Sequence, residues 1–165
     1  MGSAAIQIAK AVGAKVITTV GEDWKSDEAK KLGADEVINY KKVDFEKKVK
    51  ELTEGRGVDV AFEHIGPEVF VQSLRSLALG GRLVTCGSTS GAEVTLNFRS
   101  FFSKNLSILG NYMGSLSGLK KAVQWAEEGK LKPVVGKVFP LEQTREAQEC
   151  MVNRNFFGKI VVKVS

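Results

Sequence analysis

Short β-branched runs alternate with segments of helical period along most of this chain, and glycine marks nearly every change between them. Residues 15–20 read as a strand ending at Gly21, residues 23–32 as a polar helix stopped by Gly33, and residues 36–40 as a second strand. Asp44 can cap a helix running to Thr53, with Phe45, Val49 and Leu52 on one side and lysines on the other. Gly55-Arg56-Gly57 turns the chain into a strand over 58–63. Gly66-Pro67 then opens a helix with Phe70, Leu74 and Leu77 inward, Pro67 standing where its missing N–H costs nothing. Gly80-Gly81 reads as a turn into a strand over 82–87, followed by a Ser/Thr/Gly loop over 87–91. A partly helical stretch through Phe98, Phe101 and Phe102 leads to a strand over 106–112, then to a helix over 116–128 with Leu119, Ala122, Val123 and Ala126 at helical spacing. So regular an alternation predicts an α/β fold, a doubly wound parallel sheet of right-handed βαβ units with helices on both faces. Ligands of such sheets bind beyond the carboxyl ends of the strands. Those ends are Val20-Gly21, Asn39-Tyr40 and residues 63–66, 86–90 and 111–114, and all five carry small or polar residues. From Pro133 the pattern changes: extended over 134–139, helical over 141–152, and a strand over 158–164.

The opening residues read as a helix entered from Gly2 and closed at Gly13, with Ala5, Ile8, Ala9 and Val12 as its apolar stripe. The small residues Gly2, Ser3, Ala4 and Ala5 let that helix end sit close to a strand or a bound phosphate. The last turn of a dinucleotide fingerprint needs this, because there the pyrophosphate rests on backbone N–H groups. The strand and the first two glycines of such a fingerprint are not found ahead of Gly2, so the chain is expected to begin inside its own binding motif.

Composition narrows the function classes. At 165 residues, 43% hydrophobic and 26% charged, the chain can bury a real core as one globular domain. The net charge of +5 comes from lysines interspersed with acids, without the basic and aromatic interleaving of a nucleic-acid binder. Cys86 and Cys150 lie far apart and His64 is the single histidine, so neither a disulfide framework nor a protein-only zinc site can be built. No signal peptide and no apolar run of membrane length is read, and a cytoplasmic protein without a membrane partner is expected.

Five stretches in register carry a resemblance. They are residues 2–10 (Gly-Ser-Ala-Ala-Ile-Gln-Ile-Ala-Lys), 32–40 (Leu-Gly-Ala-Asp-Glu-Val-Ile-Asn-Tyr), 55–60 (Gly-Arg-Gly-Val-Asp-Val), 80–84 (Gly-Gly-Arg-Leu-Val) and 157–162 (Phe-Gly-Lys-Ile-Val-Val). Together they resemble the cofactor-binding half of the medium-chain dehydrogenase/reductases, in particular zinc-type alcohol dehydrogenases and their quinone oxidoreductase relatives. The resemblance implies a Rossmann-like, truncated dinucleotide-binding domain over 1–132 and a segment over 133–165 that returns toward a catalytic domain outside this chain. Catalytic zinc is expected only in that other domain.

The resemblance also implies cofactor contacts. Gly2 matches the third fingerprint glycine; the alternative is a glycine that merely follows the chain start. The strand end at Val20-Gly21 lacks the acid that holds a ribose 2′-hydroxyl in NAD-specific relatives. Lys25 and Tyr40 match positions that hold a 2′-phosphate in the quinone oxidoreductase branch, although Glu22 and Asp23 stand close by in sequence. NADP(H) is therefore favoured over NAD(H), with Lys25 as a solvated helix lysine the competing account. Gly66, Gly87, Ser88 and Thr89 match contacts to ribose and nicotinamide, Asn111 and Met113 residues near the carboxamide, and Lys159 a pyrophosphate contact. For Ser88 and Thr89 ordinary turn chemistry is the alternative, and for Lys159 a plain surface lysine. His64, Cys86 and Cys150 are read as structural, and no residue here is assigned a catalytic role.

A truncated start has consequences. The first strand of such a sheet is central, and its absence withdraws about three or four aliphatic side chains worth about 1.5–3 kcal/mol each. The sheet is then expected to close over the gap, to be completed by a partner chain, or to be poorly stable. Residues 106–112 should form an exposed edge able to join two copies as a homodimer, and the strand over 158–164 should be orphaned. Three readings stay open: an inactive fragment of an NADP(H)-dependent zinc-type or quinone oxidoreductase, a stand-alone dinucleotide-binding module, or a non-catalytic interaction domain.

Overall fold

A computed structural model describes residues 1–164, which divide into two compact units: Met1–Val37 with the chain from Leu116 onward, and Ile38–Ser115. The first unit holds α1 (Gly2–Ala11), β1 (Ile17–Val20), α2 (Trp24–Lys31), α6 (Leu116–Glu127), β6 (Val135–Pro140), a 3-10 turn over Leu141–Gln143, α7 (Thr144–Val152) and β7 (Lys159–Lys163). The second holds α3 (Phe45–Leu52), β3 (Val58–Glu63), α4 (Pro67–Arg75), β4 (Leu77–Thr85), α5 (Phe98–Phe102) and β5 (Ser107–Gly110). The strand β2 (Glu36–Asn39) spans the boundary.

In the second unit β4 runs between β3 and β5, parallel to both. Leu77 and Leu83 of β4 are fully buried, packed with Phe70 and Leu74 of α4 and with Leu106. A helix laid on a parallel sheet is what a βαβ unit produces when its apolar face is buried. Asp44 caps α3 as expected, its carboxylate accepting from the Lys47 N–H at 3.2 Å. In the first unit Ile6, Val20, Ala29 and Ala34 form a second core, edged by Val16, Leu32 and Val37. The Gln7 amide acts there as a surrogate peptide group, donating to Lys132 O at 3.0 Å and accepting from Lys132 N at 2.8 Å.

The α/β alternation and parallel pairing are as expected, and several details differ. Among the described residues the strands form three sheets, β1-β2, β3-β4-β5 and β6-β7, rather than the one doubly wound sheet expected. β7 is not orphaned but pairs in parallel with β6. Leu77 opens β4 rather than closing α4, and Gly80-Gly81 lies within β4. Five steps along β4, from Leu77 to Arg82, face two along β3, from Val58 to Val60, and Gly80 with φ +72° absorbs the excess as a bulge. In α1 the buried residue is Ile6, while Ile8 and Val12 are exposed, because a core built on a narrow β1-β2 ribbon covers only one flank of the helix. The stripe of α6 is likewise uncovered: the helix forms, yet Leu119 and Val123 are exposed.

One electrostatic tie closes the turn from α2 into β2. The Asp35 carboxylate accepts from the Val16 N–H at 2.7 Å and from Lys10 Nζ at 2.9 Å, and these bonds, the backbone one foremost, hold it below the ordinary aspartate range. A lowered folded value makes the contribution complete above about pH 4, the ordinary aspartate pKa, and lost as pH falls through the lowered one. Asp35→Asn should therefore lower the urea midpoint at neutral pH and leave it unchanged in strong acid. Urea curves of variant and parent separated by the same amount at every pH would contradict this.

Candidate functional site

The strand ends of the second unit place two loops side by side. Because β3 and β4 are adjacent, parallel and paired to their last residues (Glu63 with Thr85), the loops that leave them emerge together at the carboxyl end of the sheet. Contact between them is close. A Cβ added to Gly87 would lie 2.5 Å from the His64 carbonyl oxygen, so only glycine lets the second loop pass the first. Gly66 has φ +100°, and a Cβ there would meet Gly91 O and Ser88 Cα, each at 3.2 Å. The missing side chains at these positions are therefore accounted for by the contact of the loops with each other.

Hydrogen bonds knit the loops. The Ile65 carbonyl accepts from the Ser90 N–H at 2.8 Å, the Ser90 hydroxyl at 2.9 Å and the Thr89 hydroxyl at 3.3 Å. The Glu68 N–H donates to Ser90 Oγ at 3.2 Å. Beneath them the Glu63 carboxylate is buried at 4% exposure, accepting from the Ile65 and Gly66 N–H groups and from the Thr85 hydroxyl at 3.0 Å. The sequence reading placed Glu63 and Ser90 at strand ends without giving either a role, and it missed Thr85. The signal present was an acid closing an apolar strand just ahead of Ile65-Gly66.

The predicted site residues divide between the units. Gly66, Gly87, Ser88 and Thr89 come together on the knitted loops, with Ser88 and Thr89 exposed. Asn111 follows β5, its N–H donating to Thr85 O at 2.9 Å and its side-chain amide to Met113 O at 3.1 Å; Met113, with φ 57°, is exposed. Tyr40 lines a cavity of about 430 Å³ with Val43, Phe45, Glu68, Val69 and Gln72. In the first unit Gly2 opens α1, Gly21 follows β1, and Lys159 opens β7 as an exposed residue. The Lys25 ammonium donates to Arg154 O at 3.0 Å, lies 5.1 Å from the Trp24 ring centroid and 6.0 Å from that of Phe156. His64 is half-buried with its ring 6.2 Å from that of Phe62, and Cys86 and Cys150, both half-buried, are in no disulfide. No group of three or more His, Cys, Asp or Glu side chains that could hold a metal ion is found among the described residues. No helix among them is long and apolar enough to cross a membrane.

The glycine contact is testable by itself. Gly87→Ala should cost about 1–3 kcal/mol, the usual price of forcing atoms into a filled space. Gly110→Ala, with nothing within 4 Å of the added methyl, serves as the control. Urea denaturation reads both, and equal midpoints for the two variants would refute the close approach.

Comparison with known proteins follows the same outline. Residues 1–128 match the family profile described as "Zinc-binding dehydrogenase". Among curated relatives, bovine quinone oxidoreductase-like protein 2 is 31% identical over 173 residues, covering 99% of this chain and 50% of the relative. A zinc-type alcohol dehydrogenase-like protein of Schizosaccharomyces pombe is 35% identical over 165 residues, covering 97% of this chain and 48% of that protein. A crystal structure described as an NAD-dependent alcohol dehydrogenase superposes with a TM-score of 0.91 at 47% identity, covering 99% of this chain and 48% of the other. The chain thus spans about half the length of the relatives it matches. With α/β architecture, parallel strands and glycine-bared strand ends beside these matches, the chain belongs to the zinc-binding dehydrogenase family of the medium-chain dehydrogenase/reductases and corresponds to their C-terminal, cofactor-binding portion.

Proposed function

We propose that this chain is the cofactor-holding part of an oxidoreductase that moves hydride between NADP(H) and an alcohol or carbonyl substrate. The observation that carries the reading is the pair of loops that leave the adjacent, parallel strands β3 and β4 at their carboxyl ends, the place where sheets of this kind bind ligands, and that pack on one another through Gly66 and Gly87. Residues 64–66 and 87–89 hold the ribose and nicotinamide end in this reading, with Asn111 and Met113 beside the carboxamide. The start of α1 at Gly2 and the Lys159 side chain serve the pyrophosphate. Bound there, the nicotinamide ring supplies the hydride. The chain's own part is to bind, to orient the ring and to keep one face of it dry. Zinc, where the branch uses it, belongs to residues outside this chain, as do the substrate pocket walls, so the chain alone is expected to bind without turnover.

Preference for NADP(H) rests on the end of β1, where Val20 is followed by Gly21 and not by a carboxylate, and on Lys25 and Tyr40 as phosphate partners. A second reading, NAD(H), is favoured by the 47%-identical neighbour described as NAD-dependent and by the hold of Arg154 O on Lys25. The names of the curated relatives support a quinone oxidoreductase-type reductase as the alternative branch. A division into a dinucleotide-binding region over 1–132 and a returning segment over 133–165 belongs to the same proposal. So does a homodimer through β5, which edges its sheet with Leu109 exposed.

Fluorescence titration of the 165-residue chain with NADPH and NADH decides between the cofactors. NADPH should bind at least about tenfold more tightly, a difference of about 1.4 kcal/mol, and Tyr40→Phe with Lys25→Ala should erase most of it. Tighter binding of NADH would select the second reading. Binding of neither would remove the proposal.

A further inference from the structure

We infer that Glu63 is a positioning residue, a buried anion that holds the strand-end loops of β3 and β4 in the shape a nicotinamide riboside requires; this rests on the dinucleotide reading above. Three observations converge on it. The carboxylate is 4% exposed, and a buried carboxylate is unfavourable unless its oxygens are well partnered. Its partners are neutral donors at the site: the Ile65 and Gly66 N–H groups on one oxygen and the Thr85 hydroxyl on the other. If the position served packing alone, an apolar side chain would suit it better.

The bonds form a chain of consequence. By fixing the Ile65 and Gly66 amides, Glu63 turns the Ile65 carbonyl toward the second loop, where Ser90 and Thr89 converge on it. Through Thr85 the other oxygen fixes the last residue of β4, one step ahead of Cys86 and Gly87. One carboxylate therefore organises both loops without reaching the ligand surface. Glutamine keeps the shape, its oxygen on the two amides and its NH₂ facing the Thr85 hydroxyl, which can accept as well as donate, but it replaces charge-assisted bonds by neutral ones roughly half as strong. Its effect should fall on the part of the cofactor that meets these loops and spare the adenosine end.

The experiment compares parent, Glu63→Gln and Thr85→Val by calorimetric titration with two ligands, NADPH and adenosine 2′,5′-bisphosphate, which lacks the nicotinamide riboside. Amide hydrogen exchange is measured on the same samples. Glu63→Gln should weaken NADPH about tenfold or more, the loss expected when charge-assisted bonds become neutral ones. The bisphosphate should change by less than about twofold, and exchange at Ile65 and Gly66 should rise while that of Val161 in β7 holds. Thr85→Val should show the same pattern at smaller size, and it decides the matter if Glu63→Gln does not fold. Equal weakening of both ligands, or undisturbed exchange at Ile65 and Gly66, overturns the inference. If the parent binds neither NADPH nor NADH, the dinucleotide reading falls by itself. Exchange at Ile65 and Gly66 then still decides whether Glu63 holds the loop.

Discussion

Everything at the candidate site depends on the seat of β4 between β3 and β5. Leu77 and Leu83, the largest fully buried side chains among the described residues, pin that strand against α4 and against its neighbours. Parallel pairing of Glu63 with Thr85 and of Thr85 with Gly110 brings three strand ends abreast. The loops leaving these ends meet, and one of their closest approaches, at Gly87 against the His64 carbonyl, is open only to a residue without a side chain. The site is in this sense a product of core packing. Loop chemistry then finishes it: hydroxyls of Thr89 and Ser90 gather on one carbonyl, and one buried acid gathers the amides opposite.

The apolar surface left uncovered is considerable. Val60 and Phe62 of β3 are 48% and 45% exposed, and α6 shows Leu116, Leu119 and Val123 to solvent. The relatives matched here are about twice as long as this chain.

Legibility in the sequence followed the range of the interactions. Elements set by local chemistry were readable: the Asp44 cap of α3, Pro67 at the first turn of α4, glycine at the ends of β1 and α2. So was the α/β class, since alternating periods admit few architectures. Features set by pairing were not. Gly80-Gly81 has the composition of a turn, and only the register between β3 and β4 makes it a bulge. The stripe through Ile8 and Val12 of α1 is genuine, but which flank is buried depends on how much sheet lies beneath it. Gly66 and Gly87 were named from the family resemblance, and the structure sets them on two adjacent loops. The role of Glu63 could not be read, because its partners are main-chain amides and a hydroxyl 22 residues away. Nor could the hold on Lys25, whose carbonyl partner lies 129 residues on at Arg154.

The central claim is that the paired loops beyond β3 and β4 receive the cofactor. Amide chemical-shift mapping of the isotope-labelled chain during titration with NADPH tests it most directly. The account predicts the largest changes at residues 64–66 and 87–91, with β6 and β7 little affected. Saturable shifts confined to other residues, with these two loops silent, would contradict it.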